Sequence, residues 1–110
     1  MIKKLKVIQN KLGNIIKLLN KKELKLIREV YISEVKFKKT KGWNFHKKAN
    51  CKIIVIDGKI KFHLTKNFKT YKKIILPCEN NKLLTIKPKT WFKFEGIKQN
   101  NKLINFIDTP

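Results

Sequence analysis

The sequence predicts an all-β fold, an antiparallel sandwich or barrel with a short helical segment near the N-terminus. From Val30 onward, apolar and polar residues alternate with a period of two, which is the period of a half-buried strand. Short apolar segments then follow one another, separated by residues that favour turns: Pro77, Asn80, Asn81, Pro88, Gly96, Asn100 and Asn101. Short strands at such spacing are typical of an antiparallel sandwich or barrel, and 110 residues is a typical length for one domain.

Residues 1–29 form a mixed zone ahead of these strands, with one candidate strand over residues 6–9. Asn20 and Glu23 have the spacing of a capping box, in which each side chain accepts a hydrogen bond from the other residue's backbone N–H. Apolar residues then recur at helical spacing. A helix is therefore expected over residues 21–28.

The strand that begins near Val30 has two faces: Tyr31, Ser33, Val35 and Phe37 on one, and Ile32, Glu34 and Lys36 on the other. Asp57 and Gly58 are a preferred pair for a two-residue hairpin turn, and they separate the apolar segments 53–56 and 59–64. Further strands are expected over residues 74–76, 83–86, 91–94 and 103–107.

The net charge of +21 favours a polyanionic partner, such as a nucleic acid, an anionic lipid or a phosphorylated small molecule. Arg28 is the single arginine among 28 basic residues, whereas bidentate recognition of phosphates and bases favours arginine. The lysines are also scattered along the chain rather than grouped on one element. The composition therefore does not favour a specific nucleic-acid-binding protein, which remains a third alternative.

The longest apolar run, residues 53–56, is far shorter than the ~20 residues that a membrane-spanning helix needs. Polar residues interrupt the start of the chain where a signal peptide would have its apolar region. We therefore expect a cytoplasmic protein. Cys51 and Cys78 match no metal-binding pattern and are expected to be free thiols.

The segment 42–48, Gly-Trp-Asn-Phe-His-Lys-Lys, places His46 among aromatic residues and cations. Together with residues 29–33, 57–58 and 79–92, it makes the chain from about residue 13 onward resemble the jelly-roll cupins related to dTDP-4-dehydrorhamnose 3,5-epimerase (RmlC-like cupins). The resemblance implies one cupin domain over residues 1–110, with residues 1–29 as an N-terminal extension that packs on an antiparallel jelly-roll barrel.

The resemblance also implies a function. A nucleotide-linked 4-keto-6-deoxyhexose would bind inside the barrel of a homodimer, and the enzyme would transfer a proton next to the ketone. The product would serve the biosynthesis of deoxysugars for a surface polysaccharide. The resemblance implies no metal or redox cofactor, and the two histidines, His46 and His63, are too few and too distant in sequence to predict a zinc or iron site.

The resemblance assigns roles to particular residues. His46 lies at the position of the family's catalytic base, and imidazole, with an ordinary pKa of ~6.5, suits proton abstraction at neutral pH. Lys52 is the candidate cation that stabilises the enolate oxygen. Lys47 and Lys48 are candidates for binding the diphosphate. Trp43 and Trp91 are candidates for stacking on the base or the sugar, with a core position as the alternative; all of these assignments are expectations.

Some residues depart from the family pattern. Trp43 occupies the position of an arginine, and Asn105 lies in the segment where a tyrosine acid is expected. Tyr31 is a substitute candidate for that acid. In the related 3,4-ketoisomerases two histidines flank one residue, and here Asn44 takes the place of the first. The carboxylate that orients the histidine is expected to come from beyond the position of Pro110. A non-catalytic cupin that binds a nucleotide sugar is therefore the alternative function.

Overall fold

Eleven strands, one α-helix and one 3₁₀ turn make up residues 1–108, the part of the chain that the computed structural model describes. In chain order the strands are β1 (Ile2–Lys4), β2 (Lys6–Ile8), β3 (Ile15–Lys17), β4 (Glu29–Glu34), β5 (Thr40–Phe45), β6 (Cys51–Asp57), β7 (Lys59–Thr65), β8 (Tyr71–Pro77), β9 (Lys82–Ile86), β10 (Trp91–Gly96) and β11 (Lys102–Ile107). Helix α1 (Lys21–Leu26) lies between β3 and β4, and the 3₁₀ turn (Cys78–Asn80) lies between β8 and β9.

The strands form two main antiparallel sheets and one hairpin. The first sheet has five strands in the order β1-β9-β6-β11-β4, and the second has four in the order β5-β10-β7-β8. Within residues 1–108, strands β2 and β3 pair only with each other. Every pairing between named strands is antiparallel, so the predicted antiparallel all-β architecture with one short N-terminal helix is confirmed.

The main apolar core lies between the inner faces of the two sheets. Alternate residues of each strand point into it, as the period of two requires. Its most deeply buried members are Val35, Cys51, Ile53, Ile60, Phe62, Leu84 and Leu103. This core holds the two sheets together and fixes which side chains face the inside of the barrel.

A second apolar cluster covers the outer face of the five-stranded sheet. Ile54, Leu83 and Phe106 point outward from the sheet and are nevertheless buried, because the N-terminal zone packs over them with Leu5. Strand β1 also adds itself to the edge of this sheet by pairing with β9. No helix within residues 1–108 is long and apolar enough to cross a membrane.

Helix α1 begins with the predicted capping box. The Asn20 side chain accepts from the backbone N–H of Glu23 at 2.8 Å, and the Glu23 carboxylate accepts from the backbone N–H of Asn20 at 2.8 Å. The helix ends at Leu26, two residues before the predicted end. The predicted N-terminus of the helix is therefore confirmed, and the helix is short because Ile27 turns into an extended conformation.

The predicted hairpin at Asp57-Gly58 is wrong. Strand β6 pairs with β9 and β11, and strand β7 pairs with β8 and β10, so the two strands belong to different sheets. Gly58, at φ +73°, turns the chain from one sheet to the other, and a Cβ there would collide with the carbonyl oxygen of Asn100. The Asn101 side chain holds the corner by accepting from the backbone N–H of Lys59 at 2.9 Å.

Candidate functional site

Strand β5 places His46 at one end of the barrel, facing the interior. In the β5–β10 register Asn44 pairs with the buried inner residue Phe92, and His46 lies two residues further along on the same side. The half-buried His46 ring stacks on Phe92, with 6.1 Å between the ring centroids. The backbone is fixed as well, because the His46 carbonyl accepts from the N–H of Lys89 at 2.8 Å.

Tyr31 and Asn105 place a polar pair on the inner face of the opposite sheet. They are direct partners in the β4–β11 register, and the Asn105 Nδ2 donates to the Tyr31 hydroxyl at 3.0 Å. Asn105 is only 2% exposed, and its Oδ1 has no hydrogen-bond partner among the residues that the structure describes. A buried polar oxygen without a partner is costly, so this one indicates a place where a polar group of a ligand can bind.

Burial changes the acidity of two groups beside this pair. It raises the pKa of the Tyr31 hydroxyl, and the hydrogen bond from Asn105 only partly offsets the effect. It also raises the pKa of the Cys51 thiol, against the lowering effect of Asn105. Tyr31 therefore keeps its proton, and because Asn105 is the donor in their hydrogen bond, the Tyr31 O–H is available to another acceptor.

A cavity of about 870 Å³ opens at the same end of the barrel as His46. Leu64 forms part of its wall and is the cross-strand partner of Phe92, on which His46 stacks. Among the residues that the structure describes, the lining combines buried apolar residues with hydroxyl groups and three exposed cations, Lys66, Lys72 and Lys87, and it contains no acidic residue. The cavity therefore suits an anionic ligand with a polar body.

The structure corrects the expectation for Lys52. In the β6–β11 register Lys52 pairs with Phe106, which faces outward, so Lys52 lies on the outer side of the five-stranded sheet. Its Nζ lies 3.5 Å from Oε2 of Glu23 in helix α1. A side chain that leaves the sheet on the opposite face from the interior cannot reach an enolate next to His46. Lys52 is instead part of the contact between the N-terminal zone and the sheet.

The two tryptophans also lie outside the barrel, on the outer face of the four-stranded sheet. The Trp43 ring packs edge-on against Phe68 at 5.3 Å between centroids, and Lys93 Nζ lies 4.7 Å above it. The Trp91 ring lies 4.6 Å from that of Phe45 and 5.3 Å from that of Phe68. The structure therefore does not bring Trp43 and Trp91 together with His46, because their side chains leave the sheet on the opposite face.

Lys47 and Lys48 are exposed in the loop that follows His46, and they do not line the cavity. His63 lies on the outer face of the four-stranded sheet, where its Nε2 is 3.5 Å from Oε1 of Glu95. Within residues 1–108 no three His, Cys, Asp or Glu side chains come together in a group that could hold a metal ion. His46, Tyr31 and Asn105 lie on the inner faces of the two sheets.

The lysines of the cavity are the functional candidates that the sequence analysis missed. A signal for one of them was present: Ile74 and Leu76 point inward from β8, and a period of two places Lys72 on the same face. The pair Lys72-Lys73 thus has one member on each side of the sheet. Both side chains are exposed, although they leave the strand on opposite faces.

Comparisons with known proteins identify the family and the fold. The family model WxcM-like, C-terminal (FdtA) matches residues 1–109. A solved 3,4-ketoisomerase from Helicobacter canadensis is 24% identical, with a TM-score of 0.88 over 100% of this chain and 83% of that one. A dTDP sugar isomerase from Desulfovibrio desulfuricans G20 is 22% identical, with a TM-score of 0.86 over 100% and 76% of the two chains.

A third solved structure is dTDP-4-dehydrorhamnose 3,5-epimerase from Bacillus anthracis str. Ames, bound to TDP and PPi. It is 17% identical, with a TM-score of 0.87 over 99% of this chain and 71% of that one. No curated protein sequence matches the chain. At these identities the likeness establishes the fold, and the predicted jelly-roll cupin of the RmlC-like type is confirmed.

Proposed function

The chain belongs to the WxcM-like, C-terminal (FdtA) family, and on that premise we propose that it is a sugar-nucleotide isomerase or epimerase. Its substrate would be a nucleotide-linked 4-keto-6-deoxyhexose, in a route to deoxysugars for a surface polysaccharide. One observation carries the proposal: the His46 imidazole and the Tyr31 hydroxyl both face the interior of the barrel, from opposite sheets. The pair offers a base and an acid to one bound sugar.

The proposed reaction begins with proton abstraction by His46. The imidazole removes a proton from a carbon next to the ketone, and the electron pair of that C–H bond moves toward the ketone oxygen to give an enolate. If carbon 3 loses the proton, carbons 3 and 4 share an enediolate. Return of the proton to carbon 3 from the other face gives an epimer, whereas protonation of carbon 4 gives a 3-keto isomer.

Tyr31 is the group best placed to protonate the enolate oxygen. Burial holds its pKa above the ordinary value, so the hydroxyl remains a neutral donor. Asn105 donates to the same oxygen at 3.0 Å, which fixes the ring and leaves the O–H proton for the substrate. Tyr31 thereby takes the role that the sequence analysis gave to Lys52, because Lys52 lies on the outer face of the sheet.

Solvent-deuterium incorporation into dTDP-4-keto-6-deoxyglucose, followed by NMR, tests the proposal. The wild type is expected to exchange the hydrogen on carbon 3 or carbon 5, and His46→Ala is expected to abolish the exchange. His63→Ala is the matched control, because it removes the histidine on the outer face of the sheet. If folded wild-type protein exchanges neither hydrogen, this substrate is excluded, and the non-catalytic nucleotide-sugar-binding cupin becomes the better reading.

A homodimer is the assembly that we propose for this enzyme. The β2–β3 hairpin pairs with no other strand of the described part of the chain, and a two-stranded sheet is marginally stable in water by itself. Its apolar side chains are largely exposed, at 38% for Ile8, 53% for Ile15 and 40% for Ile16. Burial of these side chains against a second copy would stabilise the hairpin.

A further inference from the structure

The outer face of the four-stranded sheet is open, whereas the N-terminal zone covers the outer face of the five-stranded sheet. Tyr71 and Ile75 leave β8 on this open face, and each side chain is 54% exposed. Five rings that lie next to one another there form the aromatic face: Trp43, Phe45, Phe68, Tyr71 and Trp91. A contiguous exposed apolar surface of this kind indicates an interaction surface.

Phe68 lies at the centre of the aromatic face. Its ring centroid is 5.3 Å from that of Trp43, 5.3 Å from that of Trp91 and 6.5 Å from that of Tyr71, and its side chain is 44% exposed. Its φ of +58° is a left-handed conformation that a bulky residue rarely adopts. Such conformations persist only where the surrounding structure holds them, and they are concentrated at functional sites.

Hydrogen bonds of the β7–β8 loop hold Phe68 in this conformation. The Phe68 N–H donates to Thr65 Oγ1 at 3.0 Å, and the Thr65 hydroxyl donates to the Thr70 carbonyl at 2.6 Å. Asn67 Oδ1 accepts from the backbone N–H groups of Lys69 at 2.8 Å and Thr70 at 3.0 Å. The ring is therefore fixed at the surface before a partner binds, and fixing a contact group in advance lowers the entropy cost of binding.

Lysines from three strands share this side of the sheet with the rings. Lys93, His63 and Lys73 form one row of cross-strand partners, and Lys61 lies two residues from His63 on the same side. The acidic Glu95 also lies there, 3.5 Å from His63 Nε2, and none of the three lysines forms an ion pair within residues 1–108. The fold thus brings lysines that are far apart in sequence to one surface, whose positive charge attracts an anionic partner.

A single-stranded nucleic acid fits both the rings and the lysines. Its bases present flat faces that stack on aromatic side chains, and its phosphates are anions that lysines neutralise. In a duplex the faces of the bases are covered by their neighbours in the stack. A second copy of this chain would instead place the same cations opposite one another, which is unfavourable. Lysine lacks the planar fork with which arginine reads base edges, so the surface suits binding without sequence preference.

We propose that the aromatic face binds single-stranded nucleic acid without sequence preference. The exposed rings of Phe68 and Tyr71 stack on bases, and Lys73 and Lys93 contact phosphates. Trp43 positions one of these cations, because Lys93 Nζ lies 4.7 Å from the centre of its ring. This binding does not depend on the proposed isomerase activity, because the aromatic face and the barrel interior lie on opposite sides of the sheet.

Fluorescence anisotropy tests the proposal at ~0.15 M salt. The probe is a fluorescein-labelled oligothymidylate of about 20 nucleotides, longer than the ~4–16 nucleotides that one small β-domain covers. The wild type is expected to bind it with a Kd of about 10⁻⁴ to 10⁻⁶ M, and the Kd should rise steeply with salt. Phe68→Asn is expected to raise the Kd about 10-fold, because a stacking contact is lost. Asparagine tolerates the left-handed conformation, so this variant keeps the loop.

Phe37→Asn is the matched control for the ring. Phe37 is 43% exposed, has Lys38 Nζ 5.2 Å from its ring centre, and lies beside Gly96 at the other end of β10. Because this variant leaves the net charge unchanged, its Kd should stay within about twofold of the wild type. Lys73→Met should lower the slope of log Kd against log salt by about 0.7, the share of one phosphate in a single strand. Circular dichroism establishes that the variants are folded.

The outcomes separate stacking from net charge and from other partners. Equal Kd values for Phe68→Asn and Phe37→Asn, or competition by polyglutamate as strong as by unlabelled oligothymidylate, would attribute binding to charge and overturn the proposal. An equal loss by Phe68→Asn on a duplex of the same length would contradict stacking and overturn it as well. A shift from dimer to monomer in Phe68→Asn, measured by light scattering, would assign the face to a second copy instead. His46→Ala should bind the oligonucleotide like the wild type.

Discussion

The side-chain amide of Asn105 donates a hydrogen bond to the Tyr31 hydroxyl from the neighbouring strand, with 3.0 Å between Nδ2 and the phenol oxygen. The two residues are exact register partners on the inner face of the five-stranded sheet, so the contact fixes the phenol next to the barrel interior. Since Asn105 uses a donor for this contact, the phenol proton can go to a bound ligand.

Replacement of Tyr31 by Phe is the first prediction from this relationship. Loss of a positioned general acid is expected to lower kcat by about 10²- to 10⁴-fold, with a much smaller change in KM. Steady-state kinetics on dTDP-4-keto-6-deoxyglucose measure both constants. Tyr71→Phe serves as the control, because that hydroxyl is hydrogen-bonded to the Phe68 carbonyl at the rim of the cavity. Equal losses in the two variants would remove Tyr31 from the mechanism.

The buried Cys51 thiol gives a prediction about alkaline pH. Burial raises its folded-state pKa above the ordinary value of 9.0, so the unfolded chain loses this proton first. Stability from this group is therefore complete below pH 9.0 and is lost as pH rises toward the folded-state pKa. Urea denaturation between pH 8 and 10.5 is expected to give a shallower decline for Cys51→Ala, by up to ~1.4 kcal/mol per pH unit.

Cys78→Ala is the control for that experiment. Burial and the neighbouring Glu79 carboxylate raise the pKa of its thiol as well, but the thiol is only partly buried, so its removal should change the pH dependence less than removal of the Cys51 thiol does. Lysine deprotonation affects all variants alike and cancels in the comparison. Identical pH slopes for wild type and Cys51→Ala would contradict the prediction.

The outward position of Lys52 leads to a third prediction. Because its Nζ is 3.5 Å from Oε2 of Glu23, Lys52→Met is expected to leave kcat within about twofold of the wild type. Its effect on the free energy of unfolding should be about 1 kcal/mol or less, as for other partly exposed ion pairs. Glu23→Gln breaks the same ion pair from the other side and should behave similarly. A large loss of kcat in Lys52→Met but not in Glu23→Gln would indicate that Lys52 has a catalytic role.

Sequence patterns predicted the structural features that are determined by residues close together in the sequence. The alternation after Val30 placed Tyr31 and Ser33 on the inner face, and the Asn20–Glu23 spacing located the helix start, because both depend on neighbouring residues alone. His46 was assigned by the family resemblance rather than by a predicted strand, and the structure places it on the face of Phe92. Local periodicity therefore sufficed wherever a strand keeps its register.

The errors lie where distant segments decide the geometry. Asp57-Gly58 has the composition of a hairpin turn, yet the chain passes into the other sheet there. Strand β6 pairs with β9 and β11 instead of with β7. Trp43 lies within an irregularity of the β5–β10 register, and its ring is on the outer face. The Lys52 side chain contacts Glu23 of helix α1, which is distant in sequence, on the outer side of the five-stranded sheet. None of these features can be predicted from the residue spacing within a single segment.

The exposed apolar side chains of the β2–β3 hairpin give a fourth prediction. Ile15→Lys is expected to shift the protein from dimer to monomer, because it places a charge in the surface that we propose the second copy covers. Light scattering coupled to size-exclusion chromatography measures the mass directly. Ile75→Lys is the matched control, since Ile75 is 54% exposed on the four-stranded sheet. A monomeric wild type, or a dimer unaffected by Ile15→Lys, would contradict the proposed interface.

The last prediction concerns the Asn101 side chain, which joins three segments at the end of the barrel opposite His46. Its Oδ1 accepts from the backbone N–H groups of Lys59 at 2.9 Å and Lys98 at 3.1 Å, and its Nδ2 donates to the Val35 carbonyl at 2.9 Å. Asn101→Ala is expected to lower the free energy of unfolding by about 3 kcal/mol, because buried backbone groups lose their partners. Asn100→Ala, at the exposed neighbouring position, should change it by less than about 0.5 kcal/mol in the same urea titration. Similar small effects in both variants would mean that Gly58 alone makes the corner.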